Sequence, residues 1–197
     1  MRVLLSKAVV LILAVVLLVG CSGDPNVTQE PTPYRVTAVH SGAIKTVHYL
    51  LPGHDEVVSA TDLITTFFIS DLTQSWNNPD WSNLGPLVSE NFHDRSGSLA
   101  NHYVVNQLKT SVEEVDINQI IFISAVGLPG SPLNTAEVSV DVTIRYLQGE
   151  ADWLTQTGVV LDKDYMFSVP LTLRKENDKW KVHLLRYSRH PAYGPIP

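Results

Sequence analysis

The side chains that carry acid–base chemistry are present in this chain but scattered. His102, Asp116 and His183 are the best candidates for a general base, and Tyr103, Tyr146 and Tyr165 for hydrogen-bond donors. Proton transfer needs a base held within reach of its partner, with burial and neighbours tuning its pKa. The spacing supplies no such pair. His102 falls beside Tyr103 and Asn106 on a helical stretch, where a solvent-facing histidine is the simpler reading. His183 alternates with Val182 and Leu184 and so points away from the face that holds them. Asp116 opens a strand and caps a turn. His40, His48 and His54, with Asp55 and Glu56, have the atoms that zinc takes. Yet His40 and His48 fall on separate arms of an extended segment, without the i, i+4 spacing of a helical metal site. The sequence has neither a Gly-x-Ser-x-Gly elbow nor a glycine-rich phosphate loop. We expect no catalytic residue, no metal and no cofactor.

One reactive atom remains, the sulfur of Cys21, which belongs to the only cysteine. A single cysteine excludes an internal disulfide and a multi-cysteine zinc site. Its flanks are informative. Arg2 and Lys7 are the only charges in the opening MRVLLSK, and an uncharged apolar run follows from Ala8 to Gly20. A basic start and a short apolar core are the pattern of a secretory signal, and the run is shorter than the roughly 20 residues of a membrane span. The step Leu18-Val19-Gly20-Cys21 resembles the bacterial lipobox. That resemblance implies that the Cys21 sulfur takes a diacylglycerol and that the signal is then removed. The expected segments are a signal peptide over 1–20 and a flexible, proline-containing tether over 21–33. Loss of Arg2 and Lys7 with the signal takes the formal charge from −6 to −8. An acidic chain disfavours nucleic acid, and it disfavours a polybasic hold on anionic lipid. The lipid on Cys21 would then make the membrane contact, at the extracytoplasmic face of the cell membrane.

The elements beyond the tether change in period. YRVTAVH and IKTVHYLL read as an extended segment or hairpin within 34–56. From Val57, Ala60, Ile64, Phe67, Phe68, Leu72 and Trp76 recur at helical spacing, with Asp62, Thr66 and Asp71 placed between them. Ser59 and Asp62 suggest the start, and Asn77-Asn78-Pro79 the stop. Asp80 caps a shorter piece, and SLANHYVVNQLKTSV gives a third. Strands follow. AEVSVDVTIRYL alternates with Val138, Val140, Val142, Ile144 and Tyr146 on one face. YMFSVPLTLRK does the same, a tight turn at Glu176–Lys179 follows, and WKVHLLRYS places Trp180, Val182 and Leu184 on one face. QGEADWLTQTGVVLDKD reads as a long loop and RHPAYGPIP as an irregular end, its proline-rich tail over 191–197.

Helices followed by long one-sided strands give an α+β class: helices packed on a curved antiparallel sheet. The helix ending in Trp76, the segment LVSENF and the hairpin LRKENDKWKVHLLRY resemble the nuclear-transport-factor-2-like, or cystatin-like, superfamily, including its bacterial lipoproteins. That resemblance implies a cone-shaped domain over 57–190, with a cavity or a packed core between sheet and helices. Some members, the ketosteroid isomerases and polyketide cyclases, work in that cavity, but the inward faces here offer no carboxylate to match. Binding is the remaining class. Trp76, Trp81 and Trp153 sit at a helix stop and in a loop, where tryptophan either plugs a core or anchors a partner. With Tyr103 and Tyr146 they form the candidate binding set. The expectation is a lipid-anchored binding or scaffolding module of the cell envelope, whose partner is an envelope protein or a small apolar ligand.

Overall fold

β4 shows most directly how this sequence makes its sheet. A computed structural model describes residues 34–40, 43–92, 96–124 and 132–195; Cys21 and the signal and tether expected over 1–33 lie outside them. β4 spans Leu133–Gln148, and its alternate residues Ala136, Val138, Val140, Val142, Ile144 and Tyr146 are all buried. Glu137, Ser139 and Asp141 face the other way. β4 is flanked by β3 (Lys109–Ser124) and β5 (Asp164–Glu176), both antiparallel to it, and β6 (Lys179–Leu185) continues the meander. β1 (Tyr34–His40) and β2 (Ala43–Tyr49) form an antiparallel hairpin on the far side. The six strands lie in the order β2-β1-β3-β4-β5-β6.

The α+β class holds, but the sheet is mixed rather than antiparallel. β1 runs parallel to β3, with Tyr34 opposite Ile120 and Ala38 opposite Ser124. A parallel pair needs a long crossover, and here the helices provide it. α1 (Asp55–Leu72) and α2 (Ser96–Val105) lie between β2 and β3 in the chain. The hairpin that the sequence sets apart is therefore the outer edge of the same sheet. α3 (Ala151–Thr157) falls in the segment that reads as a loop. Glu150 caps it by accepting from the Asp152 and Trp153 N–H groups, and Gly158 ends it in the left-handed region at φ 67°.

The core lies between the helices and the inner sheet face. Val57, Ala60, Ile64, Phe67, Phe68 and Leu72 of α1 press against it. The cap of α1 is His54, whose Nδ1 accepts from the Glu56 N–H; the Ser59 and Asp62 expected there lie inside the helix. Glu56 in the first turn ties α1 to the last hairpin, accepting from the Lys175 ammonium and from the Trp180 indole. On β6 a register shift between Thr172 and Leu173 of the partner strand alters the expected alternation. Leu184 is exposed and Leu185 turns inward. Among the described residues no helix is long and apolar enough to cross a membrane.

Candidate functional site

Two features stand out: an apolar groove beside α2, and a buried polar cluster beneath the C-terminal segment. Both begin at the end of α1.

The groove is built on the turn that follows α1. Gln74 is buried and holds this turn closed. Its amide nitrogen donates to the carbonyls of Ser70 and Asp80, both at 2.8 Å, and its amide oxygen accepts from the Asp80 N–H at 2.9 Å. The Asp80 carboxylate then accepts from the Ser82 N–H at 2.8 Å, which holds its pKa below the usual value and opens a 3-10 helix at Ser82–Leu87. Trp81 is locked between these bonds. Its indole N–H donates to the Asp71 carbonyl at 3.1 Å, and its ring meets Tyr103 edge-on at 5.7 Å. The far end of the 3-10 helix is fastened to β6, because the Ser89 N–H donates to the Val182 carbonyl and Lys181 donates to the Pro86 carbonyl.

Between this wall and α2 lies a groove of about 550 Å³. Trp81, Leu84, Val88 and Phe92 line one side, and Gly97 and Ala100 of α2 line the other. The small residues on α2 leave the space open: a Cβ added at Gly97 meets nothing within 4 Å. Of the described side chains lining it, only the Ser82 hydroxyl and the Trp81 indole, whose N–H is committed to Asp71, carry polar atoms, and none ionises. Such a surface can desolvate an apolar group; it offers no proton carrier.

The polar cluster starts from Asp71. The sequence places Asp71 among the solvent-facing positions of its helix, but it lies four residues after Phe67 and three after Phe68, on the buried stripe. It is 5 % exposed. A carboxylate in the last turn of a helix meets the unfavourable end of the macrodipole, so it needs donors. Tyr187 donates to Oδ2 at 2.9 Å, and His190 Nε2 lies 3.6 Å from the same oxygen. Both come from the segment that follows β6, and the tail beyond it is not irregular: Pro191–Tyr193 forms a 3-10 turn whose Pro191 and Ala192 are buried. His190 is 6 % exposed, and its Nδ1 accepts from the Ala192 N–H at 3.1 Å. Nδ1 is therefore the bare nitrogen, and Nε2 carries the proton toward Asp71. Tyr146 donates to the Pro191 carbonyl at 2.6 Å, and His102 Nε2 donates to the Ala192 carbonyl at 2.9 Å. Burial pushes the His102 imidazole below its ordinary pKa, and it pushes the Tyr103 and Tyr146 hydroxyls up.

The candidate binding residues thus separate into different settings. Trp81 lines the groove at 9 % exposure. Tyr103 is fully buried and shares a hydrogen bond with Thr110. Tyr146 and Trp153 are also buried and face each other, with ring centres 5.6 Å apart. Trp76 is half-buried, and its N–H donates to the Leu108 carbonyl. Of the base candidates, Asp116 is exposed on β3, and His183 lies 3.0 Å from the Ser89 hydroxyl. His54 is the helix cap; the side chains of His40 and His48 lie outside the described residues. Asp71, Tyr187 and His190 carry no functional reading in the sequence, since Asp71 falls between apolar positions and Arg189-His190 has no metal-site spacing; only the position of Asp71 on the apolar stripe signals them.

No family model matches the chain, and no curated protein matches it. Among solved structures, the intermembrane space region of the chloroplast protein ARC6 is similar at a TM-score of 0.42 and 12 % identity. That likeness covers 66 % of this chain and 96 % of the other.

Proposed function

We propose that this protein is a lipid-anchored, extracytoplasmic binding module of the cell envelope, whose domain is of the cone-shaped, cystatin-like kind. The groove carries the binding half of this reading. An apolar cleft of about 550 Å³ walled by Trp81, Leu84, Val88 and Phe92 is of a size that takes a small apolar ligand or the apolar side chains of a partner. The residue pattern of the first 21 positions supports the anchoring half. Two acyl chains on Cys21 hold a protein firmly at a membrane, whereas one holds it only marginally. Anchoring then raises the local concentration of the groove for its partner.

Each half has its own test. Gly97→Leu places a side chain in the groove without a clash at Cβ. It should abolish binding of a fluorescent apolar reporter while thermal unfolding stays cooperative. Equal reporter binding by wild type and Gly97→Leu removes the groove as the binding surface. For the anchor, the wild-type chain should partition into the detergent phase and Cys21→Ala should not. Detergent partitioning by a processed Cys21→Ala chain rejects Cys21 as the attachment point.

A further inference from the structure

The C-terminal segment sits in the fold as a ligand sits in a site. After β6 the chain leaves the sheet; the Arg186 N–H still reaches the Pro170 carbonyl. The bonds of the Tyr193 and Gly194 N–H groups close within the segment, to His190 and Pro191. The fastenings to the body come from side chains. Tyr146 and His102 donate to the successive carbonyls of Pro191 and Ala192, and Asp71 faces Tyr187 and His190. The three body residues come from α1, α2 and β4, so the framework for them exists without the segment. The Tyr193 ring packs on His102 with centres 4.4 Å apart. At Gly194, φ is 82°, and an added Cβ would lie 3.0 Å from the Thr157 side chain, so glycine is required there.

The fit is incomplete at one point. His190 Nε2 is buried and makes no hydrogen bond, since Asp71 Oδ2 lies 3.6 Å away. A buried donor that faces a carboxylate without reaching it is costly, and here the cost falls on the imidazole, since Tyr187 already donates to Oδ2.

We propose that residues 186–194 are a built-in peptide ligand, and that Asp71, His102 and Tyr146 form a site that takes a peptide making the same turn in trans when this segment lifts. The ligand class follows from the donors and the anion. Two consecutive main-chain carbonyls match Tyr146 and His102. A tyrosine hydroxyl or an imidazole preceding them matches Asp71. A small residue that accepts positive φ must follow the aromatic, to pass Thr157. The segment blocks the site while it is seated, so the resting protein is autoinhibited for this binding.

The test uses the full-length chain in detergent and a fluorescein-labelled synthetic peptide of residues 186–197. Wild type should bind it weakly, because the site is filled. His190→Ala and Gly194→Val weaken the resident segment without altering Asp71, His102 or Tyr146, and each should raise peptide affinity at least about ten-fold. Adding Tyr146→Phe to either variant should lower that affinity by about five- to ten-fold, the value of one hydrogen bond. Equal affinity in wild type and both variants, or no effect of Tyr146→Phe, overturns the proposal. Should the variants misfold, hydrogen exchange on the wild type decides. The Tyr193 and Gly194 amides should exchange at least about ten-fold faster than those in the middle of β4. Exchange together with β4 means that the segment opens only on global unfolding, and the proposal fails.

Discussion

Replacing Glu56 by alanine is expected to destabilise the domain by about 2–3 kcal/mol. The Trp180 indole is 5 % exposed, and its N–H donates to Glu56 Oε2 at 2.8 Å. Removing a charged acceptor from a buried donor costs about 1.5–3 kcal/mol. The Lys175–Glu56 pair adds little more, since the side chains are 18 % and 23 % exposed and water still screens them; about 0.5 kcal/mol is reasonable. Glu56 also lies in the first turn of α1, where a negative charge adds about 0.3–0.5 kcal/mol. These contributions share one side chain and do not add fully. Glu56→Gln keeps an acceptor for the indole and loses the charge, so its cost is about 1 kcal/mol by the same reasoning. Urea unfolding followed by circular dichroism measures both. With a slope near 2 kcal/mol per molar urea, the alanine midpoint falls by about 1–1.5 M and the glutamine midpoint by about 0.5 M. Equal midpoints for the two variants would refute the reasoning, because they would mean that the indole bond contributes nothing. So would an alanine variant as stable as wild type.

Three further outcomes follow from named groups. Burial raises the pKa of both Tyr103 and Tyr146, so their neutral forms favour the fold. That contribution is complete below the unfolded tyrosine value near pH 10 and is lost above it; tyrosinate absorbance at 295 nm should rise cooperatively with alkaline unfolding, not before it. Burial lowers the pKa of His102, so stability present above about pH 6.5 should decline as pH falls through the depressed value. His102→Gln, which keeps a donor for the Ala192 carbonyl, should flatten that part of a melting-temperature profile. Gly158 has φ 67° and open space at its Cβ, so Gly158→Ala should cost about 1 kcal/mol in chemical denaturation, from backbone conformation alone.

What the sequence reveals of this fold depends on whether local pattern and final environment agree. On β4 and β5 they agree: every second residue is apolar, and those residues face the core. On β3 they agree only in part. VDINQIIFISAVG reads as a strand from Val115, but β3 begins at Lys109, inside a stretch that reads as helix, and register shifts at Val112/Glu114 and Ile117/Gln119 break the alternation there. The same physics moves Leu184 outward and Leu185 inward on β6. The parallel contact of β1 with β3 has no local signature at all, because its partners are 86 positions apart at Tyr34 and Ile120. At the candidate sites, Trp81 was legible as a tryptophan at a helix stop. The space beside it depends on Gly97 and Ala100, whose smallness matters only once α2 faces the 3-10 helix. Asp71 and His190 were hidden for a related reason: a polar residue on an apolar stripe makes sense only when its distant partner is known.

The parallel pairing of β1 also bears on the expected order of assembly. β3 to β6 are joined by successive antiparallel contacts, which close short loops and form readily. The β1–β2 hairpin is equally local, but its place beside Ile120–Ser124 is reached only by closing a loop through both long helices. Local closure favours forming the hairpin early, and the longer loop makes its docking on β3 the slower step expected. Until it docks, the edge of β3 from Ile120 to Ser124 lacks its covering strand and presents open hydrogen-bonding groups to any neighbouring chain. The part of the sheet nearest the start of the chain is thus the one whose delay exposes the protein to self-association.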